Sequence, residues 1–123
     1  MTGRHRSAGI ALWLLVGWGL LCTAWNLYGA VQIANGRPAL GPTATYAGAG
    51  LALALTLLFL FTSGRWPLVY KLLAAFAAVV AGFTVWNAFA LDPSNWNLQF
   101  WRWAGAALNA VGIIGGVLAI VGR

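Results

Sequence analysis

Charged residues interrupt this chain at only a few points. Between them lie four charge-free runs, Ser7 to Gly36, Pro38 to Gly64, Leu72 to Leu91 and Trp103 to Gly122, each 20 to 30 residues long. An α-helix rises about 1.5 Å per residue, so roughly 20 apolar residues cover the ~30 Å hydrocarbon core of a bilayer. The pattern predicts four spanning helices near residues 8–33, 44–62, 67–91 and 98–121. Breakers separate them: Gly36-Arg37-Pro38 and Gly41-Pro42, then Ser63-Gly64-Arg65-Trp66-Pro67, then Asp92-Pro93-Ser94-Asn95. The expected fold class is an all-α integral membrane protein, a bundle of four transmembrane helices forming one domain over residues 1–123.

The basic residues orient the spans. With the N-terminus cytoplasmic, Arg4, Arg6, Arg65, Lys71 and Arg123 lie inside, and Arg37 and Arg102 lie outside with Asp92. That excess predicts both termini in the cytoplasm and a multi-pass chain in the cell's inner (plasma) membrane.

The halves of the chain echo each other. Thr23-Ala24-Trp25-Asn26-Leu27-Tyr28 matches Thr84-Val85-Trp86-Asn87-Ala88-Phe89 at an offset of 61 residues. Tyr46-Ala47-Gly48-Ala49-Gly50-Leu51 matches Trp103-Ala104-Gly105-Ala106-Ala107-Leu108 at an offset of 57. Repeat units 8–65 and 67–123 would be two tandem helical hairpins. Because each contains two spans, the copies share one orientation and relate by a pseudo-twofold along the membrane normal.

Composition excludes a soluble class. Hydrophobic residues make up 62% and charged residues 7% of the chain, against about 25% charged in globular domains. The net charge of +6 is dispersed over the loops and forms no stripe, which argues against nucleic acid and for anionic lipid headgroups as partners. The apolar run after Arg4, His5 and Arg6 outlasts the roughly 7 to 15 residues of a signal-peptide core. It is expected to stay uncleaved. Leu21 stands where a lipid-attachment motif needs a small residue, so Cys22, the single cysteine, is expected to pack rather than carry lipid.

Polar residues within the spans are few. Thr23 and Asn26 share one helix face, as do Thr84 and Asn87. Under the pseudo-twofold the two Thr-x-Trp-Asn segments would approach, forming either an interhelical clamp or a lined polar site that Asn109 or Gln32 could join. Asp92, the only acid, has the chemistry of a helix exit and is expected to be a solvated loop carboxylate facing Arg102. Trp96, Trp101 and Trp103 are expected to form an aromatic ledge lying flat before the fourth span. Gly112 and Gly116 on the fourth span, with Ala74, Ala78 and Gly82 on the third, predict close helix packing, either within the chain or against another copy.

Catalysis finds no support. His5 lies in the basic tail, one cysteine cannot form a pair, and no base sits beside a nucleophile or phosphate loop. No metal or cofactor is expected. The expected function is non-enzymatic association, as a homo-oligomer or as an accessory subunit of a membrane complex. The alternative is a small transporter or channel for a neutral, amphipathic or anionic solute or lipid.

Overall fold

The computed structural model describes the backbone of residues 2–122 and the side chains of residues 8–122. Among these residues the chain is all-helical, with α1 at Thr2–Ala34, α2 at Tyr46–Thr62, α3 at Pro67–Ala90 and α4 at Gln99–Gly122. A 3-10 turn at Pro93–Asn95 joins α3 to α4. Three segments, Ala8–Ala34, Pro67–Ala90 and Gln99–Gly122, are long and apolar enough to cross a membrane. α2 is shorter, at 17 residues or about 26 Å.

Local chemistry sets the helix ends. Gly36 adopts φ 72°, and the Arg37 N–H donates to the Gln32 carbonyl at 2.8 Å, closing α1 in a Schellman motif. Thr45 is extended and its hydroxyl accepts the Gly48 N–H at 2.8 Å, which caps α2. Gly64, at φ 81°, reverses the chain, and Pro67 occupies the first turn of α3, where its missing N–H removes no helical bond. These ends fall within two residues of the expected ones. The exception is the start of α1, which lies at Thr2 rather than residue 8. Helix-compatible residues such as Arg4, Arg6 and Ala8 extend it upstream.

Consecutive helices run antiparallel, and so do α1 and α4. Gly115, Gly112 and Gly105 of α4 face Leu15, Trp18 and Trp25 of α1 in reverse order. Both longer connections, residues 35–45 and 91–98, therefore lie at one end, called here the loop end. The Ser63–Trp66 turn lies at the other.

Small residues bring the helices together. The core comprises Ala11, Leu15 and Trp18 of α1, Phe59 of α2, Ala74, Ala77 and Ala81 of α3, and Ala119 of α4. A Cβ at Gly112 would lie 2.7 Å from the Trp18 indole nitrogen, and one at Gly116 would lie 2.7 Å from the Ala74 carbonyl and 2.8 Å from the Ala78 Cβ. The Gly112 and Gly116 faces are thus occupied inside the chain, on α1 and α3. Gly82 has no such neighbour within 4 Å.

Large apolar side chains point outward instead; Leu51 and Trp86 are each 72% exposed. Packing is uneven. α1 lies close against α2 and α4, and α4 against α3, but α2 and α3 barely touch. A twofold relating the two hairpins would pair α2 with α3 as tightly as α1 with α4. The matched tryptophans also differ in setting: Trp25 stacks edge-on against Trp101 at 5.9 Å, whereas Trp86 faces outward.

Candidate functional site

The gap between α2 and α3 is a cleft of about 650 Å³. Gly48, Leu51, Leu55 and Leu58 recur every three or four residues along α2 and form one wall. Leu73, Phe76, Val80, Thr84 and Asn87 do the same along α3. Trp18, Cys22 and Asn26 of α1 and Arg102, Gly105 and Asn109 of α4 form the floor. Gly41, Pro42, Thr43 and Trp96 close the loop end.

The floor amides are engaged. Trp18 Nε1 donates to Asn109 Oδ1 at 3.0 Å, and Asn109 Nδ2 donates to the Gly105 carbonyl at 2.8 Å. Asn26 Nδ2 donates to the Cys22 carbonyl at 2.9 Å, while its Oδ1 accepts the Thr45 N–H at 3.3 Å. Asn26 therefore ties α1 to the start of α2, and Asn109 ties α4 to α1. The threonines turn inward on their own helices, Thr23 to the Gly19 carbonyl and Thr84 to the Val80 carbonyl. Thr23 is not part of the cleft lining, and neither is Gln32. Among the described residues, no hydrogen bond joins the two Thr-x-Trp-Asn segments. Asn87 is half-buried in the cleft wall, and its side chain makes no hydrogen bond there.

Arg102 sets the electrostatics. Its Nε donates to the Ala88 carbonyl at 2.6 Å and its Nη1 to Gln99 Oε1 at 3.2 Å, with the guanidinium 4.9 Å from the Phe89 ring centroid. The expected pair with Asp92 is not formed. The Asp92 carboxylate accepts the Ser94 N–H at 2.8 Å and caps the 3-10 turn, since an Asx-turn bond two residues away is local and readily made. That backbone bond, with the Ser94 hydroxyl, holds the Asp92 carboxyl below its ordinary value. Arg102 meanwhile reaches the carbonyls exposed at the end of α3.

The flat aromatic ledge is also absent. Trp96 is 8% exposed and covers Gly41, where a Cβ would lie 3.1 Å from its indole nitrogen. α4 begins at Gln99, so Trp101 and Trp103 are helical and their rings diverge. Trp101 turns in against Trp25, and Trp103 turns out against Phe89 with 5.1 Å between ring centroids. The chain matches no protein-family model and shows no significant similarity to a curated protein or a solved structure.

The amides of the cleft can donate and accept hydrogen bonds and the guanidinium can donate them, whereas Asp92 lies outside the cleft lining. Reading Arg102 as a loop charge missed its place in this site. The signal was its spacing, because Arg102, Gly105 and Asn109 stand three and seven residues apart on one face of α4.

Proposed function

We propose that this chain is a non-enzymatic membrane protein crossing the bilayer four times with both termini cytoplasmic, and that its cleft admits an amphipathic molecule from the surrounding lipid. The observation that carries this reading is the cleft of about 650 Å³, whose aliphatic and aromatic walls end at Asn87 and Arg102. Sites for small amphipathic molecules combine such apolar walls with a few convergent polar groups. Leu51 and Phe76 line the cleft and are 72% and 58% exposed, so it opens sideways toward lipid tails.

Association with other subunits has weaker support. Gly112, Gly116, Ala74 and Ala78, the residues expected to serve it, are used in contacts between this chain's own helices. The test fills the cleft from its floor, which Ala106 of α4 also lines. Ala106→Phe should abolish co-purification of a tightly held lipid-like molecule, read by native mass spectrometry, while helicity by circular dichroism is unchanged. Equal retention by the variant would remove the cleft from consideration.

A further inference from the structure

The cleft carries a cation with no anion to match. Asp92, the one acid in the chain, is committed to Ser94, and among the described residues Arg102 has no carboxylate partner. Two of its five N–H donors are used, on the Ala88 and Gln99 oxygens. The remaining donors belong to a half-buried residue in the floor of a largely apolar cleft, where an unpaired charge is unfavourable. Because Arg102 binds the Ala88 carbonyl, its guanidinium sits beside the segment bearing Asn87, whose amide is unengaged. Both residues line the cleft toward its loop end.

From there the walls are apolar but for Thr84, whose hydroxyl is turned onto its own helix. Asn87 and Leu73 both line the cleft, and the fourteen-residue rise between them covers about 21 Å, longer than the roughly 15 Å hydrocarbon depth of one leaflet. One acyl chain can lie along Phe76, Val80, Leu55 and Leu58, with the second against the open side at Leu51. The headgroup chemistry follows from charge. A phosphate accepts two parallel N–H bonds from a guanidinium fork. A zwitterionic headgroup would bring an ammonium with it, and the cleft holds no carboxylate to receive it.

We infer that the cleft is a binding site for a phospholipid of net negative charge, its phosphate held by Arg102 and Asn87 and one acyl chain lying between α2 and α3. The inference rests on the cleft reading above. The occupant comes from the leaflet at the loop end.

The experiment reconstitutes the full chain in vesicles of equal parts phosphatidylglycerol and phosphatidylcholine, extracts it gently and counts retained lipids by native mass spectrometry. One phosphatidylglycerol per chain should be retained, with roughly tenfold preference over phosphatidylcholine, a ratio corresponding to 1.4 kcal/mol. Arg102→Gln should reduce that ratio to near unity, Arg102→Lys should preserve part of it, and Arg37→Gln should leave it unchanged. A preference that survives Arg102→Gln, or is lost equally in Arg37→Gln, overturns the assignment. Diazirine-bearing phosphatidylglycerol gives a readout on the unaltered chain. Crosslinks at Leu55, Phe76 or Val80 support the site, and crosslinks confined to outward-facing Leu57 and Phe83 overturn it. If both lipids are retained equally and both are lost in Ala106→Phe, the headgroup assignment fails while the cleft reading stands. If no lipid is retained, or a second copy of the chain fills the cleft, both fail.

Discussion

Two asparagines of the same chemistry do different work here. Asn109 is 7% exposed, and its amide is held at both ends, by the Trp18 indole and the Gly105 carbonyl. Replacing it with Leu leaves the Trp18 N–H buried with no acceptor. Asn109→Leu should therefore destabilise the fold by about 1 to 2 kcal/mol, measured as a shift in unfolding by denaturing detergent. Asn87 has no such bond to lose. Asn87→Leu should change stability by no more than about 0.5 kcal/mol while weakening lipid retention. If Asn87→Leu were the more damaging to stability, the Thr-x-Trp-Asn segments would act as a clamp and Asn87 would leave the binding site. A side chain's fate turns on which helix faces it, and residue type alone carries no such information.

At the scale of helices, the chain's breakers were legible and its faces were less so. Gly36, Gly64, Pro67 and Asp92-Pro93 mark ends in the sequence because they restrict the backbone locally. The ledge was misread because Trp96 is placed by a distant loop: Gly41 admits its ring, and the Asn97 N–H donates to the Leu40 carbonyl at 3.2 Å. The sequence groups Asn26, Thr84, Asn87 and Asn109, which all line the cleft, but the cleft's apolar walls were not legible, for a related reason. The cleft exists because α2 and α3 diverge, and divergence is a property of pairs. The α3–α4 seam gives a sharp contrast among glycines. A side chain at Gly116 would strike Ala74 and Ala78, whereas Gly82 faces open space within 4 Å. Gly116→Val should destabilise by about 1 to 3 kcal/mol or more through overpacking, and Gly82→Ala should be neutral or stabilise by up to about 1 kcal/mol as helix propensity improves. Thermal unfolding of the two variants beside the parent chain checks both signs. Equal effects would mean that α4 does not seat on α3 through Gly116.

For the molecule as a whole, the open point of the topology is α2. Three segments meet the length for crossing, while α2 has 17 residues and covers about 26 Å against a ~30 Å core. A mismatch of a few ångströms is absorbed by local thinning or by anchoring residues at modest cost. Anchors are present at one end of α2, where Trp66 packs on Phe61 at 5.1 Å between ring centroids and the Arg65 guanidinium lies 5.1 Å from the Phe61 ring. The antiparallel run of α1 against α2 and of α3 against α4 requires α2 to travel the full depth if α1 and α3 do. Arg37 and Arg65 are both exposed and flank α2, so they report its crossing directly. In a Cys22→Ala background, Arg37→Cys should react with a membrane-impermeant maleimide on intact cells, and Arg65→Cys should react only after permeabilisation. Labelling of both from one side would reduce the crossings to three and put the termini on opposite faces. It would also put the 91–98 connection, with Arg102 and Asn87 beside it, on the opposite face from residues 35–45, splitting the loop end that the lipid site requires. The reverse pattern, with Arg65 accessible and Arg37 protected, would keep four crossings but invert the chain against its own excess of basic residues.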